Sequence, residues 1–417
     1  MAVRTQNARR GRTRTRSTAG AVLAGLLFAS ACAAPQDSAD GITAREIATT
    51  LDRRAAAVMG HDTDAYLAAL DPEAASFRAA QRTELENLAD VPLESWAYKV
   101  KDVTGAGSGR VTAAVELRYR IEGYDSAPMS SARTVELVRR GDDGRWYIAA
   151  DRAGEDAPGL LWQQGDVQVV RGTHSLVLGV GRRAQELRRI ADTADRAVPA
   201  VSGVWPEPWA ERVVVLVPDS VEDMADLLGS PVASYRGIAA VTTGEVGGTG
   251  RAPADRVIVN PQAYGMLGEF GRRVVLTHET THVATRAHTS KATPVWLSEG
   301  FADWTAYRRE SRTAGETAPE LAAAVRRGEL PGLLPVDEDF GFGGDAATLA
   351  KAYEGGWLAC ALIAQDWGEE KLTAFYRVVG SRSGRDGAVE QAMQTELGTT
   401  PEDFTARWRE YLRARLG

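Results

Sequence analysis

Apolar and polar positions repeat with two different periods along this chain. Over residues 43–88, apolar or alanine positions recur every three to four residues, with breaks at Gly60-His61-Asp62 and Asp71-Pro72, which predicts an interrupted helical segment. The period then shortens to two. Residues 96–103, 110–122, 133–140 and 145–150 alternate apolar with polar and are joined by glycine and serine turns and by Asp142-Asp143-Gly144, the pattern of antiparallel strands. A glycine- and proline-containing connector, 153–159, follows. Beyond it the pattern predicts paired strands at 167–171 and 175–179, a helix over 182–201, a buried strand at 212–217 and a short helix at 221–228. Strands at 237–242 and 255–261 flank the glycine-rich loop 244–250, which is not a phosphate-binding loop because no Gly-Lys-Ser/Thr follows it. From Gly268 onward the pattern is almost wholly helical, and no internal repeat is present. The expected fold class is α+β. A helix-plus-antiparallel-sheet domain spans 43–152, and a two-lobed domain, sheet lobe then helical lobe, spans 160–417.

The length of 417 residues agrees with more than one domain. The formal charge of −7 conceals an asymmetry, because residues 1–31 hold six arginines and no acid, so removing those six cations leaves −13 on the rest. That surplus of acid excludes a nucleic-acid partner, which would need a basic face. The arginine-rich start, the apolar run 19–29 and Phe28-Ala29-Ser30-Ala31-Cys32 predict a secretory signal over 1–31 whose apolar core is too short to span a bilayer. A cysteine directly after small residues resembles a bacterial lipobox. The resemblance implies lipidation of Cys32, a tether over 32–42, and anchoring to the outer face of the bacterial cytoplasmic membrane, with plain secretion as the alternative. Cys32 and Cys360 are the only cysteines, which excludes a disulfide-stapled scaffold and any multi-thiolate metal site. Cys360 lies in an apolar helical run and reads as an unreactive core thiol.

Only five histidines occur, and two of them stand four apart in Leu276-Thr277-His278-Glu279-Thr280-Thr281-His282. On a helix that spacing puts both rings on one face, where each can present a nitrogen to one ion. Glu279 lies about 100° round from His278, beside the ligand pair and outside it, as a general base would. Downstream, Thr293-Pro294 predicts the start of a helix with Thr293 as its N-cap. That helix carries Glu299 and Asp303, again four apart, so one face offers two carboxylates. His288 stands six residues past His282, a position that resembles that of the third histidine in the His-Glu-x-x-His-x-x-Gly-x-x-His motif of metzincin proteases, in which a glycine turn swings that histidine in. Thr285 occupies the turn position, so a continuing helix carries His288 away from the pair. Asp337-Glu338-Asp339 lacks a calcium-loop spacing and reads as solvated, and His61 and His174 have no metal-spaced neighbours.

The run from His278 to Asp303 resembles the gluzincin metalloproteases, relatives of thermolysin. The resemblance implies Zn²⁺ held by His278, His282 and Glu299, with Asp303 accepting a hydrogen bond from the other nitrogen of a ligand histidine, His278. Tyr353-Glu354-Gly355-Gly356 is similar to the Tyr-Glu-Lys-Gly segment of zinc aminopeptidases, with Gly355 in place of lysine, and implies that Tyr353 donates to the oxyanion. The helices followed by long antiparallel strands resemble the cone-shaped nuclear-transport-factor-like domains. The signal, the His278–His282 helix, Trp296-Leu297-Ser298-Glu299-Gly300 and the Tyr353 helix together resemble the peptidase MA-like lipoproteins of high-GC Gram-positive bacteria, a resemblance that covers residues 160–417. What this implies is a membrane-anchored extracellular zinc metallopeptidase of thermolysin-like, two-lobed fold, acting on a peptide or protein substrate. Two alternatives stand beside it. One is a non-catalytic cell-surface binding or assembly lipoprotein that retains a zinc-site fold. The other is a zinc aminopeptidase, although the Gly-x-Met-Glu-Asn motif of that branch is missing. The strand at 237–242, if it lies at a sheet edge, offers a backbone to which an extended substrate can pair.

Overall fold

Three helices open the fold: α1 (Ala39–Met59), α2 (Thr63–Ala68) and α3 (Ala75–Asn87). They break where the sequence pattern breaks, and the Asp62 side chain caps α2 by accepting from Ala65 N. The computed structural model describes residues 39–417 apart from 106–108, 142–143, 156, 244–254 and 342–344. The expected signal, Cys32 and the glycine-rich loop 244–250 therefore lie outside the described residues. α1 begins inside the segment expected as a tether, because one glycine, Gly41, costs a helix only about 1 kcal/mol and does not end it.

β1 (Leu93–Thr104), β2 (Arg110–Ile121), β3 (Met129–Arg140) and β4 (Arg145–Ala153) form an antiparallel meander in the order β1-β2-β3-β4. In β2 every second residue, Val111 through Ile121, is buried, which is the period-two pattern made physical. α1 lays Ile47, Leu51, Ala55 and Val58 against this sheet. Trp96, Tyr119 and Trp162 pack ring against ring within the core, with centroids 5.1 to 6.0 Å apart.

After α4 (Leu161–Gln164) comes a five-stranded sheet of β5 (Val167–Arg171), β6 (Ser175–Val180), β7 (Val213–Val217), β8 (Ala240–Thr242) and β9 (Arg256–Val259), in the order β5-β6-β7-β9-β8. β6, β7 and β9 run parallel, while β5 and β8 are antiparallel to their neighbours. All six residues of β6 are buried because both faces of the sheet are covered. Leu176, Leu178, Val214 and Ile258 join one continuous core with the N-terminal meander. Val177, Val215, Val257 and Val259 point the other way, toward α5 (Ala184–Ser202) and α8 (Glu269–Thr285). The short helices α6 (Val221–Leu228) and α7 (Pro261–Met266) connect these strands and α8.

The remainder is helical: α9 (Val295–Tyr307), α10 (Ala314–Thr317), α11 (Pro319–Arg326), α12 (Ala346–Asp366), α13 (Glu369–Gly380), α14 (Ala388–Ala392) and α15 (Pro401–Leu416). Its core gathers Trp296, Phe301, Leu358, Phe375, Tyr376, Phe404 and Trp408. α9 and α12 cross through glycines. A Cβ on Gly356 would lie 2.7 Å from the Trp296 carbonyl oxygen, and one on Gly300 would collide with the Gly356 backbone. Gly355-Gly356 thus serves a backbone-to-backbone crossing that sets Glu299 and Tyr353 side by side. Among the described residues no helix is long and apolar enough to cross a membrane.

Candidate metal centre

α8 carries both histidines of the pair, and α9 runs past it to bring Glu299 and Asp303. α9 starts at Val295, one residue later than the sequence pattern predicts, and Thr293 does not cap it. The Thr293 hydroxyl instead accepts from Ser290 N in the preceding turn, and the Asp337 carboxylate accepts from Val295 N at 2.9 Å. Asp337, expected to be solvated, is therefore a cap supplied from a distant loop, with Arg385 on its second oxygen at 2.8 Å.

Three atoms converge on one point. His278 Nε2 and His282 Nε2 lie 3.1 Å apart, and Glu299 Oε2 lies 3.2 Å from the first and 3.5 Å from the second. Tetrahedral zinc with ligands at about 2.0–2.1 Å requires donor atoms about 3.3 Å from one another. The spacing fits. The hydrogen bonding fits as well, because His278 Nδ1 stands 2.8 Å from Asp303 Oδ1 and donates to it. That fixes the tautomer and leaves a bare lone pair on Nε2, aimed at a second imidazole nitrogen and a carboxylate oxygen. Three lone pairs facing one another repel unless a cation or a proton lies between them.

The electrostatics carry the same message. Burial opposes protonation of His278, yet the carboxylates of Asp303 and Glu299 raise it well above the usual imidazole range. Burial likewise works against charge on Glu299, and His282 and His278 still hold it well below the usual carboxylate range. The pocket is built to hold positive charge.

Glu279 is buried, and the Thr242 hydroxyl donates to its Oε2 at 2.6 Å. Tyr353 stands edge-on to Phe340, with ring centroids 5.2 Å apart. Burial first, then the carboxylates of Glu299, Asp303 and Glu279, push its hydroxyl well above the usual range. Glu354 faces elsewhere, accepting from Glu320 N and Leu321 N at the start of α11.

His288 is outside this group. It sits in a 3₁₀ turn after α8, edge-on to Trp205 with centroids 5.5 Å apart and 4.0 Å from Glu207. Among the described residues, His278, His282 and Glu299 form the one group of three or more potential ligands close enough to share an ion. Cys360 is a buried free thiol, pushed well above its usual range by burial and then by Asp303. Cys32 lies outside the described residues. Thr242 is the residue of this site that sequence reading passes over, since only the packing of β8 on α8 brings it to Glu279.

No protein-family model and no curated protein sequence matches the chain. Solved structures do. Native yeast LTA4 hydrolase aligns over 67% of this chain and 44% of its own, at 12% identity and a TM-score of 0.38. An M1 zinc metallopeptidase from Deinococcus radiodurans, bound to a Tyr-Ser-Ala substrate, aligns over 74% of this chain and 91% of its own, at 11% identity and a TM-score of 0.33. A two-domain M1 zinc metallopeptidase bound to L-arginine gives 74% and 90%, 12% identity and a TM-score of 0.34. This chain thus spans less than half the length of the yeast enzyme's chain. At such scores, the functional reading rests on the geometry of the site itself.

Proposed function

We propose that this chain is a zinc-dependent peptidase of the gluzincin type, anchored through Cys32 at the outer face of a bacterial membrane. The observation that carries the reading is the convergence of His278, His282 and Glu299 at tetrahedral spacing, with Asp303 fixing the His278 tautomer. Zinc held by these three residues would leave one position open and supply Lewis acidity, enough to bring the pKa of water toward about 7 and to polarise a peptide carbonyl.

The chain's own residues do the rest. Glu279 takes the proton of the attacking water and returns it to the leaving amine, so its carboxylate must be ionised before the reaction and close to the open position. Tyr353, held protonated, donates to the oxygen on which negative charge develops. β8 is an edge strand: among the described residues it pairs with β9 alone. It runs beside α8, and an extended substrate adding to its open side would lie along the catalytic helix. An intact base held by Thr242 favours turnover over a purely structural metal, which needs no base and closes its fourth position with a further ligand.

Glu279→Gln tests the reading. It keeps one equivalent of metal and loses hydrolysis of fluorescein-labelled casein by about 10²- to 10⁴-fold. Undiminished hydrolysis would remove Glu279 as the base. A peptide panel with free and blocked N-termini separates endopeptidase from aminopeptidase action.

A further inference from the structure

The pleat of the five-stranded sheet sorts its side chains by face, and at the β8–β9 edge the two faces lead to different domains. Thr242 stands opposite Val257 and shares its face, toward α8, where it meets Glu279. Arg256, one residue earlier on β9, points the other way into the N-terminal domain. There its guanidinium grips Asp125 with two bonds, Nη1 to Oδ1 at 2.9 Å and Nη2 to Oδ2 at 2.8 Å. The Arg256 and Asp125 side chains are 4% and 0% exposed, so water neither screens nor replaces this contact. Asp125 is itself fixed, accepting from Ile121 N at 2.7 Å, while Arg120 donates to its carbonyl oxygen.

The far side of the strand pair is held as well. Thr243 N donates to Arg256 O at 2.8 Å, and Arg256 N donates to the Thr243 hydroxyl at 3.0 Å. Arg286, just past α8, reaches Asp255 at 2.8 Å and the Thr243 carbonyl at 3.3 Å. Thr242 hangs between these two holds.

We propose that the N-terminal domain positions the general base: Asp125 clamps β9 through Arg256, β9 fixes β8, and Thr242 of β8 holds the Glu279 carboxylate at the angle the reaction needs. The side chains of Thr242 and Asp125 act through Glu279, as positioning residues. The inference builds on the reading of Glu279 as base. It assigns the N-terminal domain a task within the reaction and predicts that the domain's grip is felt in kcat with KM unchanged.

The test pairs kinetics with amide exchange in the full chain. Thr242→Val, which keeps the shape and removes the hydroxyl, lowers kcat on labelled casein by about tenfold to a hundredfold with KM and metal content unchanged. Thr242→Ser, which restores the hydroxyl, recovers kcat to within about threefold of wild type. Asp125→Asn raises hydrogen exchange at residues 240–243 and 256–259 at least about tenfold and lowers kcat, and combining it with Thr242→Val adds little to the loss from Thr242→Val alone. Equal losses in the Val and Ser variants would overturn the role of the hydroxyl. Unchanged exchange in Asp125→Asn, or fully additive losses, would overturn the clamp. Should the wild type hydrolyse no peptide, the proposed function fails, and exchange in Asp125→Asn still decides the clamp. Should Asp125→Asn fail to fold, Arg256→Lys, which keeps the charge and loses the fork, takes its place with the same outcomes.

Discussion

Removing the Asp303 carboxylate would perturb the proposed zinc site without removing a ligand. Asp303 Oδ1 lies 2.8 Å from His278 Nδ1, and the two side chains are 14% and 13% exposed, so the bond is made largely out of water. A hydrogen bond to a charged partner contributes about 1.5–3 kcal/mol, and each 1.4 kcal/mol is about a factor of ten in affinity. Asp303→Ala is therefore expected to weaken zinc binding by about tenfold to a hundredfold. The expected range matches the usual cost of losing the partner behind a ligand histidine. Asp303→Asn keeps an acceptor for the Nδ1 proton and loses only its charge, so its cost falls at the lower end. Competition against a chromophoric zinc chelator at fixed pH reads both constants directly. Glu279→Gln is the control, because Glu279 stands beside the ligands and its loss should leave affinity within about twofold. If Asp303→Ala bound zinc as tightly as wild type, His278 would not be a ligand held in this tautomer, and the reasoning would fail.

Other parts of the account make their own predictions. Gly356→Ala places a methyl against the Trp296 carbonyl and should destabilise the helical lobe by about 1–3 kcal/mol in urea unfolding, with zinc lost earlier in the transition than in wild type. In the N-terminal domain, burial works against charge on Asp71, but Arg140, at 3.0 Å, and the Glu73 amide hold it below the usual carboxylate range. A lowered carboxylate stabilises the fold above its unfolded value of about 3.9 and loses that contribution as pH falls through the folded value. Asp71→Asn should therefore flatten the loss of stability below about pH 4 and lower stability at pH 7, as followed by chemical unfolding across pH.

How much of this was legible from sequence depends on how far apart the cooperating residues lie. His278 with His282, and Glu299 with Asp303, are pairs four apart on helices, so local periodicity alone puts each pair on one face. That the two faces meet required a resemblance. In the structure α9 packs along α8, so that Asp303 and Glu299 reach His278 and His282, and Gly300 and Gly356 let α12 close on α9 in turn. The cap on α9 is not legible locally: Thr293-Pro294 has the local signature of a helix start, whereas the bond to Val295 N comes from Asp337, 42 residues away. The shared core left a trace, since Leu176-Val177-Leu178 is a continuous apolar run, the mark of a strand covered on both faces. Thr242 and the Asp125–Arg256 pair left none. The packing of β8 on α8 and the docking of one domain on another bring those residues together, and neither has a period in sequence.

The most direct test of the central claim is zinc analysis of the purified chain by X-ray absorption at the zinc edge, alongside the His278→Ala and His282→Ala variants. One equivalent of zinc with two imidazole nitrogens and oxygen at about 2.0 Å in wild type, and less than a tenth of an equivalent in either variant, is the expected result. Zinc absent from wild type, or retained in full by both variants, would contradict the account.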